Sequence, residues 1–278
     1  MQKFTCENKT KLSDFLLDKY QGGLSYGKFC TLLRKKDIKI NQKRVNKDCV
    51  LQKGDIVECY FDAEIELLTP IYKDENVVVL NKPQSITSED FYNRVKGQYA
   101  TAIFTHRLDR NTSGVMIFAL NEESYGELYQ GFKNRTFSKT YHCLVNGAFE
   151  KKQALLQDYM VKDEKIGLVK VYSNAIDGAK IIKTQYEEIA RAEFSSLLKV
   201  QLITGRTHQI RAHLAYHGHF IIGDGKYGSE RVNKIFKVSK QLLIATNLEL
   251  HFSEQSLLFY LNGKNFSVDY SGLFKYLK

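Results

Sequence analysis

Apolar residues recur at helical spacing in two stretches near the start of the chain. The first predicts a helix over residues 11–20, where Ser13 can cap the N-terminus, and Gly22-Gly23 interrupts the pattern. The second predicts a helix over residues 25–36 that ends in three cations, which suit the negative end of a helix dipole. The side chains predicted to be buried in this second helix are Phe29, Leu32 and Leu33.

Short alternating stretches follow these helices. Residues 38–41 and 43–45 predict two strands around a tight turn, and residues 56–61 predict a strand after the glycine-containing turn at 51–55. Two helices and a small twisted sheet make a compact module with its cations on one side. These cations are Arg34, Lys35, Lys36, Lys39, Lys43 and Arg44.

An acidic connector separates this module from the rest of the chain. It covers residues 63–70 and ends in Pro70, one of only two prolines in the sequence. We therefore place the domain boundary here, with a first domain at residues 1–62 and a second at residues 71–278.

The second domain opens with an apolar, β-branched strand. Residues 77–80 predict this strand after a turn at 74–76, and a helix is predicted over about 88–96. A buried strand is predicted at 115–120, directly after a turn formed by Thr112-Ser113-Gly114.

Asn121 marks the start of the next predicted helix. Its side chain can cap the N-terminus, and the helix runs to about Lys133. The side chains predicted to be buried along it are Tyr125, Leu128, Tyr129 and Phe132.

The remainder of the chain alternates apolar and polar positions. A helix that carries His208 to His217 is predicted after Gly205, and a last helix is predicted at 271–277. The alternation favours antiparallel strands, so we predict an α+β fold: a small α/β module followed by a domain with a central, mostly antiparallel mixed β-sheet flanked by helices. Its further strands are predicted at 136–147, 154–160, 167–173, 179–190, 194–203, 242–252 and 256–268.

Composition indicates a globular protein. Of 278 residues, 43% are hydrophobic and 26% are charged. No apolar run approaches the roughly 18 residues of a membrane span, and the N-terminus lacks the apolar core of a signal peptide, so we expect a cytoplasmic protein without membrane contact. The five cysteines lie far apart without a C-x-x-C pair, which favours reduced thiols over a disulfide framework or a zinc site.

The charge is unevenly distributed. The formal net charge is +10, and residues 1–62 contain 13 Lys and Arg against 8 Asp and Glu, an excess of 5. Less than a quarter of the chain therefore carries half of the excess. This asymmetry favours a polyanionic partner, above all a nucleic acid.

One acidic side chain stands between cations in residues 106–114. Asp109 lies between Arg107 and Arg110, beside His106, and a buried strand follows. The flanking guanidinium groups favour the ionised carboxylate, which a loop at the mouth of a strand can present to a substrate. A structural salt-bridge loop is the alternative, and charge patterning alone leaves both interpretations open.

Two further stretches contain groups that can line a cleft. Lys139 and Tyr141 share one face of a predicted strand, although Tyr141 is also suited to a core position. After Gly205, His208 and Arg211 are three residues apart on one helix face. His208 and His213 are five apart, which is a poor spacing for a metal pair, so we expect no metal site. No nucleotide-binding motif is present either, so we expect no cofactor.

At this point the sequence resembles two known families. Residues 106–114 resemble the signature of the RluA-type pseudouridine synthases, and the N-terminal module resembles the S4 RNA-binding domain. The combination is similar to the RluC and RluD type, which act on large-subunit ribosomal RNA. Ser85 departs from the pattern, since the family usually has glycine there, and His219-Phe220-Ile221 lacks a proline that is common in that stretch. The catalytic-domain resemblance also includes Asn81-Lys82-Pro83, Tyr141 with residues 144–147, residues 204–213, Gly223-Asp224 and Tyr227-Gly228.

The resemblance implies a reaction and roles for individual residues. A uridine in RNA would be isomerised to pseudouridine, with Asp109 as nucleophile or base. Arg107 would fill the space of the flipped base, and Tyr141 would stack on uracil and is a candidate for removing the C5 proton. Arg211 would pair with Asp109. The substrate-binding candidates are His106, Arg107, Lys139, Arg206 and His208, and the RNA-binding candidates are the six cations of the first module.

Two other functions remain open from the sequence. One is a non-catalytic S4-type RNA-binding or ribosome-assembly protein, and the other is a metal-dependent RNA hydrolase. We expect ribosomal RNA as the partner, transfer RNA as the second choice, and a monomer.

Overall fold

The computed structural model describes most of the chain. No helix among the described residues is long and apolar enough to cross a membrane. The Gly22-Gly23 break and residues 63–66 of the predicted connector lie outside the described residues. Those described are 1–20, 24, 26–60, 67–163 and 167–278. They divide into two compact units, Met1–Thr69 with Glu89–Ala102 and Pro70–Ser88 with Ile103–Lys278.

Short strands and two amphipathic helices build the first unit. Strands β1, β6, β3 and β4 form an antiparallel sheet in that order, and β2 pairs with β5; the elements are β1 (Gln2–Thr5), β2 (Thr10–Lys11), α1 (Leu12–Lys19), α2 (Tyr26–Lys35), β3 (Ile38–Ile40), β4 (Lys43–Arg44), β5 (Val50–Leu51) and β6 (Ile56–Cys59). Phe29, Leu32 and Leu33 are buried, as predicted.

The predicted cap of the first helix is wrong. α1 begins at Leu12, so Ser13 lies inside the helix, and Lys11 at the N-cap makes no side-chain capping hydrogen bond. The Ser13 N–H instead donates to Asp48 Oδ1 at 3.0 Å. A carboxylate 35 residues away therefore satisfies one of the free N–H groups of the first turn.

A large mixed sheet forms the second unit. The chain continues through β7 (Tyr72–Lys73), β8 (Val77–Lys82), α3 (Ser88–Gln98), β9 (Ile103–Phe104), β10 (Ser113–Ala119), α4 (Glu122–Asn134), β11 (Ser138–Asn146), β12 (Gln153–Asp163), β13 (Leu168–Tyr172), β14 (Lys180–Arg191), β15 (Ser195–Leu202), α5 (Gln209–Tyr216), α6 (Glu230–Phe236), β16 (Leu243–Glu249) and β17 (Asn265–Ser267). From Glu89 onward, the residues of α3 belong to the first unit.

The strand order explains how distant parts of the sequence meet. The sheet runs β13-β12-β14-β15-β11-β16-β10-β8-β7, with β9 beside β10 and β17 beside β16. Its pairs are antiparallel except for β10 with β16, which is parallel. The predicted α+β class with a mostly antiparallel mixed sheet is confirmed. Strand β11 lies between β15, which precedes α5, and β16, which pairs with β10. The loop before β10, the strand β11 and the segment after β15 can therefore lie near one another.

Several predicted boundaries differ from the structure. The turn placed at Thr112-Ser113-Gly114 is wrong, because β10 already begins at Ser113. The turn spans residues 109–112, where the Thr112 N–H donates to the Asp109 carbonyl at 3.0 Å. Only Asn265–Ser267 of the predicted strand 256–268 is extended, and the last helix is a 3₁₀ helix over Ser271–Tyr276.

The predicted cap of α4 is confirmed, but its buried face is narrower than expected. Asn121 Oδ1 accepts the Ser124 N–H at 2.9 Å. Leu128 is buried and Tyr125 and Phe132 are half-buried, whereas Tyr129 is 45% exposed. Tyr129 lies at the edge of the apolar face, where an aromatic ring can remain in contact with water.

Gly114 allows the parallel contact at the centre of the sheet. It pairs with Ala245 across β10 and β16 and has φ of +129°. A Cβ atom at this position would overlap the Ala245 carbonyl. Both the backbone conformation and the close approach therefore require glycine.

We expect Gly114→Ala to lower the free energy of unfolding by at least about 2 kcal/mol, since the strand pair must separate and the backbone is strained. Denaturant titration of both variants measures this. The control is Gly126→Ala in α4, where no atom lies within 4 Å of the added methyl group; it should be stabilising by about 0.5–1 kcal/mol. Equal stability of the two variants would contradict the role of Gly114.

Candidate active site

A cavity of about 170 Å³ lies in the second unit. Cavities of about 150 Å³ hold benzene, so this space suits one six-membered ring. Its walls come from the loop before β10, from β11 and from the segment that leads into α5. The structure thus brings the three candidate stretches together, and the predicted residues that line the cavity are Arg107, Asp109, Lys139, Tyr141, Arg206, His208 and Arg211.

The backbone that carries Asp109 is held by buried hydrogen bonds. Ser88 Oγ accepts the Leu108 N–H at 2.9 Å and donates to the Leu108 carbonyl at 2.8 Å. The turn bond from Thr112 follows directly, and Thr112 Oγ1 accepts a hydrogen bond from Gln241 at 2.7 Å. The carboxylate therefore stands on a backbone that is fixed on both sides.

Lys82 supports the same loop, and the sequence did not single it out for this role. Its side chain is fully buried, and Nζ donates to the carbonyls of Pro83, Ile86 and Arg110 at 2.9, 3.0 and 3.3 Å. Burial lowers the pKa of Lys82 to about 8, although the charge of Asp109 acts in the opposite direction. The available sequence signal was a lysine two residues after the apolar run 77–80 and directly before a proline.

Ser85 stands where the RluA-type family, which this sequence resembles, usually has glycine. Its φ is +71°, a left-handed conformation that favours glycine. The Ser85 N–H donates to the Arg110 carbonyl at 3.0 Å, and Arg110 Nε donates to the Ser85 carbonyl at 3.3 Å. Arg110 therefore supports the loop, and its side chain is exposed.

Arg211 bridges two carboxylates. Nε and Nη2 donate to Asp224 Oδ2 and Oδ1 at 2.6 and 2.9 Å, a bidentate pair. Nη1 donates to Asp109 Oδ2 at 3.0 Å, so the expected contact between Arg211 and Asp109 is present. The guanidinium group of Arg211, a residue that is only 6% exposed, thus links the loop before β10 to α5 and to the segment after it.

This bridge sets the ionisation of its buried members. Burial alone would raise the pKa of Asp224, but hydrogen bonds and charge from Arg211 outweigh it and hold that pKa below its usual value. Burial likewise disfavours the charged form of Arg211, yet the two carboxylates raise its pKa. Asp224 also accepts the N–H groups of Lys226 and Tyr227, at 2.8 and 3.1 Å.

His208 was predicted to lie inside the helix, but it stands at the N-cap position and makes no side-chain capping hydrogen bond. It occupies the N-cap position with φ of +56°, and α5 ends at Tyr216 rather than at His217. His208 Nδ1 is 2.9 Å from the Tyr227 hydroxyl, which itself accepts the Val169 N–H. Its Nε2 lies 3.9 Å from Asp109 Oδ2. Burial lowers the pKa of His208, and the charge of Asp109 partly opposes that shift.

Tyr141 and Lys139 line the cavity from β11. Burial and the charge of Asp109 raise the pKa of Tyr141 well above its ordinary value, so the phenol stays protonated. Burial lowers the pKa of Lys139 to about 8, and its Nζ lies 4.7 Å above the Phe132 ring. The cavity therefore offers an aromatic ring with a neutral hydroxyl beside a weakly basic amine.

His106 is not among the lining residues. Its Nε2 accepts the Ile117 N–H at 3.1 Å, and its ring stacks on Phe132 with centroids 4.4 Å apart. Burial, together with the charge of Lys139, lowers the pKa of His106 well below its usual value. His106 was predicted to contact the substrate. In the structure its neutral imidazole packs behind the loop, not on the cavity wall.

Arg206 lines the cavity and has one buried side-chain donor. Its Nε is buried, and no acceptor in the described part of the chain lies within hydrogen-bond distance. A buried N–H without a partner is costly, so this atom is suited to an acceptor on a bound substrate. The Arg206 backbone is fixed by its N–H, which donates to Gln209 Oε1 at 3.1 Å.

Comparisons with known proteins identify the family. A model described as RNA pseudouridylate synthase matches residues 76–216, which include all the cavity-lining residues except Leu243. A ribosomal large subunit pseudouridine synthase C of Vibrio cholerae serotype O1 is 26% identical over 249 residues, covering 78% of this chain and 78% of the relative. A tRNA pseudouridine synthase C of the same organism is 31% identical over 210 residues, covering 68% of this chain and 84% of the relative.

A solved structure shares the fold. Human RNA Pseudouridylate Synthase Domain Containing 1 aligns with a TM-score of 0.62 and 23% identity over 71% of this chain and 84% of that chain. The chain therefore belongs to the RNA pseudouridylate synthase family and is an RNA pseudouridine synthase.

Proposed function

We propose that this enzyme converts specific uridines of large-subunit ribosomal RNA to pseudouridine, with Asp109 as the nucleophile or base that begins the reaction. The observation that carries the proposal is the hydrogen bond from Arg211 to Asp109, at 3.0 Å, beside a cavity that suits one pyrimidine ring. Transfer RNA is the second candidate substrate, because relatives named for either RNA match most of the chain.

The isomerisation is balanced without another reactant. The N-glycosidic bond breaks, the uracil turns, and C5 bonds to C1′ of the same ribose. C5 loses a proton and N1 gains one, so the atoms and oxidation state of the nucleoside are unchanged. We therefore propose an enzyme that uses neither a cofactor nor hydrolytic water.

Asp109 acts as an ionised, oriented carboxylate in this proposal. Attack at C1′, attack at C6 and removal of a sugar proton all need that form. Asp224 holds one edge of the Arg211 guanidinium group, so the remaining Nη1 is directed at Asp109. The charge needed for chemistry is thereby held in place before the substrate binds.

Tyr141 serves as the stacking surface for the uracil. Its ring lines the cavity, and its hydroxyl is protonated because burial and Asp109 raise its pKa. A neutral phenol can take up the C5 proton only if its own proton leaves in the same step. We therefore assign Tyr141 first to contact with the base, and treat proton removal as its secondary role.

Arg107, Arg206 and Lys139 are proposed to contact the nucleotide around the base. Flipping a uridine out of an RNA stack costs a few kcal/mol. Arg107 is exposed at the cavity mouth, where it can enter the RNA and occupy the space of the flipped base. The buried Nε of Arg206 and the Nζ of Lys139 offer donors to the nucleotide, and His208 lies beside them.

Residues 1–62 are proposed as an S4-like RNA-binding domain, joined by a linker at 63–70 to a catalytic domain at 71–278. Five of its six candidate cations are exposed, at the end of α2 and along β4; the sixth, Lys39, donates to Tyr60 Oη at 2.9 Å. Cations on such a surface neutralise phosphates and carry little sequence information.

The setting follows from the substrate. Ribosomal RNA is modified where ribosomes are assembled, so we place the activity in the cytoplasm. We propose that the enzyme acts as a monomer.

Asp109→Asn should reduce pseudouridine formation by at least about 10⁴-fold while RNA affinity stays within a few-fold, because the carboxylate does chemistry and the phosphates are held elsewhere. Release of tritium from C5-labelled uridine in RNA measures turnover, and filter binding measures affinity. Asp177→Asn, at an exposed loop position, is the matched control and should be fully active. Measurable tritium release by the Asp109 variant would remove this residue from its role.

Asp224→Asn should lower kcat by roughly 10–100-fold, because Arg211 loses the charge that orients it toward Asp109. It should also lower the free energy of unfolding by about 3 kcal/mol, the cost of breaking a buried ion pair. Steady-state kinetics and urea titration measure the two effects.

The pH dependence of stability provides a second readout. The folded-state pKa of Asp224 is below its unfolded value near 4, so its contribution is complete above about pH 4 and is lost as pH falls through the folded pKa. The Asn variant should therefore lose less stability than the wild type upon acidification. If the free energy of unfolding fell equally with decreasing pH in both proteins, the result would contradict the ion pair.

Neutralising the basic surface of the first unit should weaken RNA binding and flatten its salt dependence, by about 0.7 in the log–log slope for each phosphate that this surface no longer neutralises. Turnover at saturating RNA should be unchanged. The substitutions are to Gln at Lys35, Lys36, Lys39, Lys43 and Arg44. The control substitutes the same number of exposed lysines in the second unit, at Lys151, Lys152, Lys170, Lys180 and Lys237. Identical slopes for wild type and first-unit variant would show that this surface does not contact RNA.

A further inference from the structure

A second polar cluster lies on α5, away from the cavity. Asp158 of β12 meets His213 and His217, and one ligand atom of each lies within 4.8 Å of the other two. Asp158 Oδ2 is 2.9 Å from His213 Nε2 and 2.7 Å from His217 Nε2. Two histidines four residues apart share one helix face, unlike the His208 and His213 pair that the sequence spacing excluded.

We propose that Asp158, His213 and His217 bind a divalent transition metal ion, with zinc as the best match. Two imidazole nitrogens and one carboxylate oxygen are borderline ligands of the kind zinc prefers. In a tetrahedral site with bonds of about 2.1 Å, ligand atoms lie about 3.4 Å apart, so the two contacts of Asp158 Oδ2, at 2.9 and 2.7 Å, must lengthen by about 0.5–0.7 Å to admit the ion. The fourth position is open to water, because the His217 side chain is 32% exposed.

The surroundings of His213 fit a ligand. Its Nδ1 lies 2.8 Å from Thr184 Oγ1, inside the core, and the residue has no exposed surface. A histidine that binds a metal through Nε2 donates Nδ1–H to such an acceptor, which fixes the ring and its tautomer. Thr184 Oγ1 is in turn held by Gln209 Nε2 at 3.0 Å.

The site would fix α5 rather than take part in chemistry. Arg211 and His213 are two residues apart, so they point to different sides of the helix. Arg211 contacts Asp109 and Asp224, whereas His213 contacts β12 and β14. An ion between Asp158 and the two histidines would tie the helix that carries Arg211 to the sheet.

Zinc binding by the full-length protein without a histidine tag tests the proposal. After dialysis against a chelator, the accessible thiols of Cys30 and Cys49 are alkylated, because free thiols also bind zinc; the other three cysteines are buried. Zinc sulfate is then titrated, and bound metal is counted by mass spectrometry. We expect one zinc per chain. At zinc 100-fold above Kd, the melting temperature should rise by about 5 °C.

Two variants separate a metal site from a simple hydrogen-bonded cluster. Asp158→Asn keeps an acceptor oxygen but loses the charge, and His217→Gln changes a partly exposed side chain; each should weaken zinc binding by more than about 100-fold. The control is His251→Gln, at an exposed histidine beside Glu249, which should bind zinc as the wild type does. Cobalt should give the visible absorption of a tetrahedral nitrogen and oxygen site.

A wild type that takes up no zinc and shows no change in melting temperature would overturn the proposal, and this measurement needs no variant. Equal zinc affinity of the wild type and both cluster variants would also overturn it, because the ion would then lie elsewhere on the surface.

Discussion

The geometry of the active site depends on one guanidinium group shared by two carboxylates. Arg211 is buried, and burying its charge is favourable only if its donors are satisfied. Asp224 takes two of its hydrogen bonds in a bidentate arrangement, and Asp109 takes another. The planar fork fixes the angle between the two acceptors, which a lysine could not do. Asp109 is thus oriented by a residue that lies 102 positions away in the sequence.

The sheet makes this long-range contact possible. β10 lies between β8 and β16, and β16 lies next to β11, so the ends of segments far apart in the sequence converge. Gly114 permits the close parallel pairing directly after the Asp109 turn. Lys82 and Ser88 then fix the turn from the β8 side through backbone atoms. The packed sheet therefore restricts the Asp109 loop to one conformation. Without these contacts the loop would sample many conformations and the carboxylate would not be oriented.

Local patterns in the sequence were sufficient to predict most helices and strands. They did not predict which distant side chains contact one another. The Asn121 cap and the alternating strands β12 to β15 follow from short-range rules, and both are present. The helix cap at Ser13 failed because a carboxylate from a distant loop, Asp48, replaces it. The motif resemblance selected Asp109, Tyr141 and Arg211, yet no local rule shows that Asp224 holds Arg211 or that the His106 ring packs behind the loop.

The helix α5 shows why pattern alone was insufficient there. Its buried residues include Gln209, Arg211 and His213, so apolar periodicity gives only a weak signal. Each of these polar side chains has specific partners; Gln209 accepts from Thr204 Oγ1 and donates to the Lys183 carbonyl. A buried polar network that is only partly satisfied is less stable than an apolar interface. The helix consequently has few alternative positions of similar energy. The same polar packing that makes α5 hard to recognise in the sequence also fixes Arg211, the residue that orients the Asp109 carboxylate.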